Sequence, residues 1–246
     1  IFERGATDKA MLKYSLISGA VTGVILFAAA SLQQLGVEIT RDAGKSGFIT
    51  GLYIVLVPIF GIFLGKKPTA FTWISAAVSI VGLYFLCMGG NEAFGTGDIV
   101  LLVGSFFWAA HILIIDHCSP HVYAIRYAST QFAVCGIISM ICSFIFEKPE
   151  AESIMNATLP LLYGGVLSAG IAYTLQIIGQ RDCDPTYSAI IMSTESVFGA
   201  IGGMLVLHQY MTPRGYLGSA LIFTGIILSQ LNPKKILKHF KNKKTN

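Results

Sequence analysis

Charged residues are scarce in this chain. Only 12% of its 246 residues are Asp, Glu, Lys or Arg, whereas 54% are apolar and the mean hydropathy is +0.67. Soluble domains carry about 25% charged residues, so the composition excludes an ordinary soluble protein and indicates one that crosses a membrane many times. Six of the 17 Lys and Arg residues follow Asn232. The basic residues are therefore not gathered on one folded face, which argues against nucleic acid as a partner.

The sequence patterns of several other protein classes are also missing. The five cysteines form no CxxC pair, so we predict small apolar side chains and no disulfide framework. The sequence contains no Walker motif, phosphate-binding glycine loop or nucleophile–base pair. We therefore predict no ATP hydrolysis, no catalytic residues, no metal and no cofactor. Asp116, His117, Cys118 and His121 superficially suggest a metal site, but Pro120 interrupts the helix there and places the group in a loop.

Long apolar runs separated by short charged loops are what the chain has instead. Runs of about 20 apolar residues are long enough to span a bilayer as a helix. GxxxG pairs such as Gly19/Gly23 and Gly199/Gly203 predict close packing between such helices. We predict an all-α polytopic membrane protein. Its eight transmembrane helices are expected at about 12–35, 45–64, 70–89, 98–116, 122–146, 157–180, 186–207 and 214–232.

A weak internal repeat relates the two ends of the chain. Residues 32–36 (Leu-Gln-Gln-Leu-Gly) align with 175–179 (Leu-Gln-Ile-Ile-Gly), and Gly82 aligns with Gly225. Both alignments have the same separation, 225 − 82 = 143 residues, which we call the repeat offset. A constant offset over three helices is typical of the duplications found in membrane transporters. It predicts a ten-helix protein with two inverted halves of five helices, of which this sequence lacks the first two helices. The expected parts are an incomplete first repeat (1–90), a second repeat (97–232) and a basic tail (233–246).

The distribution of basic residues predicts the orientation. When the C-terminal tail is placed in the cytoplasm and the loops alternate, most of the remaining Lys and Arg residues also fall on the cytoplasmic side. We therefore expect a multi-pass protein of the cytoplasmic membrane with a cytoplasmic C-terminus. Nothing in the sequence predicts its oligomeric state.

Glu195 lies deep inside an apolar segment at 187–207 that contains no Lys or Arg. Ionising a carboxyl group near the bilayer midplane costs about 3 kcal/mol. The equivalent residue of the first repeat is Leu52, so the two halves do not share this charge. One interpretation is that Glu195 sits near a helix end or stays protonated in a local hydrogen bond. We favour a Glu195 that faces a polar cavity and takes part in proton coupling.

Several stretches resemble EamA-type members of the drug/metabolite transporter superfamily. They are 31–36 (Ser-Leu-Gln-Gln-Leu-Gly), 43–53 (Ala-Gly-Lys-Ser-Gly-Phe-Ile-Thr-Gly-Leu-Tyr), Val57-Pro58, Gly97-Asp98, 107–109 (Phe-Trp-Ala), 195–198 (Glu-Ser-Val-Phe), 207–209 (Leu-His-Gln) and Thr212-Pro213. Ser196 replaces a frequent proline, and His208-Gln209 replaces a frequent Gly-Glu. The resemblance implies a ten-helix secondary transporter. Its family transports amino acids, metabolites, drugs and nucleotide-linked sugars.

Transport requires a polar patch at mid-membrane that a solute can reach. Six predicted helices carry uncharged polar or aromatic residues on one face, the lining expected for a small polar or zwitterionic solute. Glu195 is the candidate coupling residue, and Pro58 is the candidate hinge because proline loosens a membrane helix. The candidate substrate contacts are Gln33, Gln34, Thr50, Tyr53, Trp108, His111, Tyr127, Gln131, Tyr173 and Gln176.

Structural roles are the alternative for several of these residues. Gln33 and Gln176 would serve equally well as hydrogen bonds between helices. His111 fits a satisfied core histidine, and Trp108 and Tyr127 fit the aromatic belt of the membrane interface.

The expected function is that of a secondary transporter, an exporter of amino acids or related small metabolites that works by alternating access. Protons are a candidate coupling partner, and the substrate and the lipid bilayer are the other expected partners. A nucleotide-sugar or phosphate-type antiporter of the same fold would need cations at mid-membrane, and the sequence places none there. An integral-membrane lipid-modifying enzyme would need a catalytic group at the interface, for which residues 116–121 are the only candidate.

Overall fold

The computed structural model describes residues 8–88, 94–147, 149–206 and 211–230, and no β-strand occurs among them. The expected basic tail at 233–246 and residues His208 and Gln209 lie outside the described residues. The α-helices are α1 (Lys9–Thr40), α2 (Ala43–Thr50), α3 (Tyr53–Phe63), α4 (Ala70–Cys87), α5 (Thr96–Cys118), α6 (Ala124–Phe146), α7 (Ala151–Asn156), α8 (Thr158–Leu162), α9 (Thr174–Gln180), α10 (Pro185–Met192), α11 (Thr194–Val206) and α12 (Pro213–Gln230). A 3₁₀ turn (Ser119–His121) precedes α6, and a π-helix (Tyr163–Tyr173) joins α8 to α9.

Six helical segments among the described residues are long and apolar enough to cross a bilayer. They are Lys9–Thr40, Ala43–Phe63, Ala70–Cys87, Thr96–His121, Ala124–Phe146 and Thr158–Gln180. The prediction of an all-helical polytopic membrane protein is confirmed. In the segments expected at 186–207 and 214–232, the described residues form α10, α11 and α12, but α10 and α11 have only 8 and 13 residues, and α12 opens with Pro213 and Arg214. Their crossing of the bilayer, and with it the count of eight, stays a prediction.

Local signals fix several helix starts. The Asp42 side chain caps α2 by accepting a hydrogen bond from the backbone N–H of Lys45 at 2.9 Å. Thr69 and Thr72 form a capping box at the start of α4, which satisfies two backbone N–H groups that the helix leaves unpaired. These caps place the helix starts at short polar loops, where the sequence puts them.

Two compact units divide the chain. The first comprises Ile1–Ser31 and Ala110–Asp184, and the second comprises Leu32–Ala109 and Pro185–Asn246. Helices α1 and α5 contribute residues to both units. The candidate site residues consequently fall into two sets, each with its own packing.

In the first unit, α1 packs closely on α6. A Cβ atom on Gly19 would lie 2.8 Å from the Tyr127 carbonyl oxygen, and one on Gly23 would lie 2.6 Å from that of Gln131. Glycine is therefore required at both positions, as the GxxxG pair predicts. A core that includes Ile115, Tyr127 and Ile177 packs beside this contact.

In the second unit, α4 and α12 approach each other through small residues. A Cβ atom on Gly82 would lie 2.7 Å from the Gly218 carbonyl oxygen, and one on Gly218 would lie 2.6 Å from that of Gly82. A Cβ atom on Gly225 would collide with the Ser79 hydroxyl and lie 3.0 Å from the Ser75 carbonyl oxygen. The repeat offset relates Gly82 to Gly225 and Ser75 to Gly218. The contact is therefore symmetric between the two helices that the repeat relates.

Two helical segments of the second unit are interrupted at equivalent places. Thr50 ends α2, and Ser193, which the repeat offset relates to Thr50, separates α10 from α11. At both interruptions the backbone closes a tight turn, because Leu52 N–H donates to the Ile49 carbonyl and Ser193 N–H to the Ile190 carbonyl, each at 3.2 Å. Neither interruption was predicted from the sequence.

The first interruption does not coincide with proline. Pro58 lies inside α3, which continues to Phe63, whereas the break falls at Gly51 and Leu52. A Cβ atom on Gly51 would lie 2.7 Å from Leu83, so glycine permits the break to pack against α4. A hinge role for Pro58 stays a prediction.

Candidate functional site

Gln33 and Trp108 are joined in the second unit. The indole Nε1–H of Trp108 donates a hydrogen bond to Gln33 Oε1 at 2.9 Å. Trp108 is buried, with 9% of its surface exposed, and Gln33 is half-buried. The neighbouring candidate Gln34 is exposed. The structure thus brings two candidates into direct contact and leaves Gln34 outside that contact.

Thr50 and Tyr53 flank the interruption between α2 and α3. Both are buried, and the Thr50 hydroxyl has no hydrogen-bond partner in the described part of the chain. A buried hydroxyl without a partner costs free energy, about 1–3 kcal/mol. Interrupted helices in transporters supply polar groups to substrate and ion sites. Thr50 is therefore placed where such a group is useful.

A buried ion pair in the second unit escaped the sequence analysis. Lys45 Nζ lies 2.8 Å from Asp98 Oδ2, and the two residues are 9% and 1% exposed. The same carboxyl oxygen accepts a hydrogen bond from Gly95 N–H at 2.6 Å. Asp98 also lies in the first turn of α5, where a helix favours negative charge. Each residue flanks an apolar run, and no pattern in the sequence indicates that the two would pair.

Three candidates form a buried polar cluster in the first unit. His111, Tyr127 and Gln131 are each 0% exposed. The Tyr127 hydroxyl lies 2.6 Å from Thr22 Oγ1, and the Gln131 amide lies beside the imidazole of His111. The His111 ring also meets the Tyr173 ring edge-on, with centroids 6.1 Å apart. Thr22 was missed because a threonine in an apolar helix carries no sequence signal of its own.

The burial of this cluster limits how a solute can meet it. Full burial leaves no surface for contact with a solute in the state that the structure represents. Alternating access, in which helices rearrange around a central site, would expose such groups in turn. Tyr173, whose ring contacts His111 of the cluster, is half-buried.

Gln176 takes part in a short relay in the first unit. Gln180 Nε2 donates to the Ile112 carbonyl oxygen at 3.4 Å, and Gln176 Nε2 donates to Gln180 Oε1 at 3.2 Å. Gln176 thus contributes, through Gln180, to a hydrogen bond between α9 and α5, which is part of the structural role considered for it in the sequence analysis. Gln176 itself is half-buried.

Glu195 lies in the first turn of α11, directly after the interruption at Ser193, and it is exposed. Cβ atoms on Gly199 or Gly202 of the same face would meet nothing within 4 Å among the described residues. The GxxxG pair Gly199/Gly203 therefore makes no close helix contact at Gly199 in the described part of the chain. The carboxyl group and the small residues line an open surface of α11.

The turn at 116–121 has a structural role. Arg181, at the end of α9, donates from Nε to the Ser119 carbonyl and from Nη2 to the Val122 carbonyl, each at 3.2 Å. Ser15 of α1 accepts a hydrogen bond from Tyr123 N–H at 2.9 Å. In the described ranges no group of three His, Cys, Asp or Glu side chains has the arrangement of a metal site. The turn thus ties α1, α5, α6 and α9 together.

Comparison with known proteins identifies the family. A family model described as the EamA-like transporter family matches residues 95–231, which is more than half of the chain. An uncharacterized transporter of Archaeoglobus fulgidus is 30% identical over 214 residues, covering 87% of this chain and 68% of that protein. The chain belongs to the EamA-like transporter family. The resemblance to the drug/metabolite transporter superfamily is thereby confirmed, and the protein is a membrane transporter of that family.

Two other relatives differ more in sequence. The uncharacterized transporter YoaV of Bacillus subtilis is 22% identical, covering 76% of this chain and 66% of that protein. The threonine/homoserine exporter RhtA of Escherichia coli is 27% identical over 183 residues, covering 71% of this chain and 59% of that protein. The chain thus spans about two thirds or less of the length of these relatives.

The fold of this chain also resembles that of a solved structure. A protein of known crystal structure superposes on this chain with a TM-score of 0.72 and 16% sequence identity, covering 94% of this chain and 90% of that one. At that identity the likeness shows the fold alone. It supports the helical architecture in which the two sets of EamA site candidates are placed.

Proposed function

We propose that this protein is a secondary transporter that exports amino acids or related small metabolites across the cytoplasmic membrane by alternating access. The observation that carries the proposal is the burial of neutral polar groups inside membrane-crossing helices of an EamA family member. His111, Tyr127 and Gln131 are fully buried, and Gln33 binds Trp108. Polar groups are expensive in a membrane and mark pathways for solutes.

The candidate contacts suit a small zwitterion. Amides, hydroxyls and aromatic rings bind a neutral or zwitterionic solute without leaving a buried net charge uncompensated. The RhtA relative is named as an exporter of threonine and homoserine, which are solutes of this kind. The proposed contacts remain Gln33, Gln34, Thr50, Tyr53, Trp108, His111, Tyr127, Gln131, Tyr173 and Gln176.

Repeat symmetry supports the proposed mechanism. The α4–α12 contact is symmetric under the repeat offset, and the interruptions at Thr50 and Ser193 are equivalent. Inverted halves with interrupted helices are a common basis of alternating access. We propose that α10–α11 and α12 also cross the bilayer, within a fold of two inverted five-helix halves. The second repeat would occupy 97–232, and the C-terminus would lie in the cytoplasm.

A phosphate-type antiporter is less well supported. It would need a cation available to the substrate, because phosphate groups are bound by Lys or Arg. Lys45 is the buried lysine of the second unit, and Asp98 already neutralises it at 2.8 Å. This pairing leaves Lys45 unavailable to an anionic substrate.

A ligand-stabilisation screen tests the proposal. The full-length natural protein in detergent would be heated with amino acids, nucleotide sugars, sugar phosphates and buffer alone. A ligand that binds only the folded state raises the unfolding temperature, and the rise grows with the logarithm of 1 plus the ratio of ligand concentration to Kd. We expect one or more amino acids to raise it. A rise with nucleotide sugars or sugar phosphates instead would contradict the proposal.

A further inference from the structure

The orientation of the Gln33 amide is fixed by its partner. An indole N–H is a donor and never an acceptor, so the atom of Gln33 that faces Trp108 must be the carbonyl oxygen. The hydrogen bond from Trp108 Nε1 to Gln33 Oε1 measures 2.9 Å. Because the indole occupies Oε1, the NH₂ group at Nε2 is the end of the amide that remains for another partner.

The surroundings make this donor selective. Trp108 is 9% exposed and Gln33 is half-buried on α1, so the hydrogen bond that holds the amide is partly buried. Hydrogen bonds are electrostatically stronger in such a low-dielectric setting. A fixed NH₂ group donates a charge-assisted hydrogen bond to a carboxylate oxygen, and it cannot accept one from an ammonium group.

Gln176, the equivalent of Gln33 in the second repeat, has its amide fixed in the opposite orientation within its own unit. A backbone carbonyl accepts only, so the Gln180 atom that faces Ile112 is Nε2, and Gln180 Oε1 must face Gln176 Nε2. Gln176 therefore presents its carbonyl oxygen. The donor character of Gln33 is thus not a property of the repeat position. It comes from Trp108.

We propose that Gln33 is a specificity-determining residue whose NH₂ group binds the carboxylate of the transported amino acid, and that Trp108 sets its polarity. This inference rests on the proposed function. The alternative is that Gln33 only positions the indole ring of Trp108. The two roles differ in what they do to ligands that lack a carboxylate.

Two ligands separate these roles. They are L-threonine and 1-aminopropan-2-ol, which is threonine without its carboxylate. Their dissociation constants would be measured by titration into the full-length protein and its Gln33→Met variant, which keeps the side-chain volume but has neither donor nor acceptor. Leu35→Met, at an exposed position of the same helix, is the matched control. The unfolding temperature of each variant establishes that it is folded.

We expect Gln33→Met to weaken threonine binding on the order of 10- to 100-fold, the range of a hydrogen bond to a charged group. Binding of 1-aminopropan-2-ol should change less than about threefold by the same reasoning, and Leu35→Met should bind both ligands as the natural protein does. Equal losses for both ligands, or no loss for threonine, would overturn the inference and leave the proposed function standing. If the natural protein binds no amino acid, the proposed function fails and the inference fails with it.

Discussion

At the scale of single residues, the hydrogen bond between Thr22 and Tyr127 measures 2.6 Å and is buried in the first unit. Thr22→Val or Tyr127→Phe leaves one hydroxyl without this partner, and we expect each to lower the free energy of unfolding by about 1 kcal/mol. A double-mutant cycle measured by denaturant unfolding in detergent should give a coupling energy of about 0.6–1.7 kcal/mol. Strictly additive effects would show that the two hydroxyls do not interact.

The ion pair between Lys45 and Asp98 predicts that the double variant is more stable than either single variant. Removing one charge leaves the other buried without compensation, so Lys45→Met or Asp98→Leu alone should cost about 3–5 kcal/mol of stability. The double variant should recover much of that loss, because it leaves no isolated charge. Thermal unfolding of the three variants checks this order. A double variant that is less stable than either single one would contradict the buried pair.

The exposed carboxyl of Glu195 leads to a transport prediction. If it carries the coupling proton, Glu195→Gln should abolish substrate accumulation driven by a pH gradient in proteoliposomes. Exchange of labelled for unlabelled substrate needs no driving force and should persist, which serves as the control for folding. Unchanged gradient-driven transport would remove Glu195 from the mechanism.

At the scale of helices, the contact between α4 and α12 is the most constrained. A Cβ atom on Gly218 would lie 2.6 Å from both the Gly82 carbonyl oxygen and the Leu86 backbone nitrogen. Backbone cannot yield as a flexible side chain does, so Gly218→Ala should destabilise the protein by about 1–3 kcal/mol. Gly199→Ala on α11 meets open space and should be neutral or stabilising, since alanine favours helix by about 1 kcal/mol. Unfolding temperatures compare the two, and equal effects would contradict the packing.

The same scale shows what the sequence predicts and what it does not. Apolar run length predicts the helices because a run of about 20 apolar residues can span the bilayer, and in lipid a helix satisfies its own backbone hydrogen bonds. The break falls at Gly51, where a Cβ atom would lie 2.7 Å from Leu83 of another helix, and the visible proline, Pro58, lies inside α3 rather than at the break. Lys45 and Asp98 are far apart in sequence and pair only through folding.

The candidate contacts show the same division. Periodicity identifies polar residues on shared faces, and Gln33, Trp108, His111 and Tyr173 do make specific contacts. Periodicity does not reveal which partner each residue takes. The bond that Gln33 makes to Trp108 decides which end of its amide is presented.

At the scale of the whole molecule, the chain is an EamA-family membrane transporter whose internal repeat survives in its packing. The α4–α12 contact and the paired interruptions follow the same repeat offset. Two features depart from that symmetry. Glu195 is equivalent to Leu52 in the repeat, and the amides of Gln33 and Gln176 are fixed in opposite orientations. Both departures fall on candidate functional residues. Function would then depend on residues and contacts that differ between the two repeats.

The central claim is that the protein transports amino acids, and counterflow tests it most directly. Proteoliposomes containing the full-length natural protein would be loaded with unlabelled threonine and diluted into trace labelled threonine. We predict transient, saturable accumulation of label that excess external amino acid suppresses and protein-free liposomes do not show. Absence of accumulation for every amino acid, together with counterflow of a nucleotide sugar or sugar phosphate, would contradict the account.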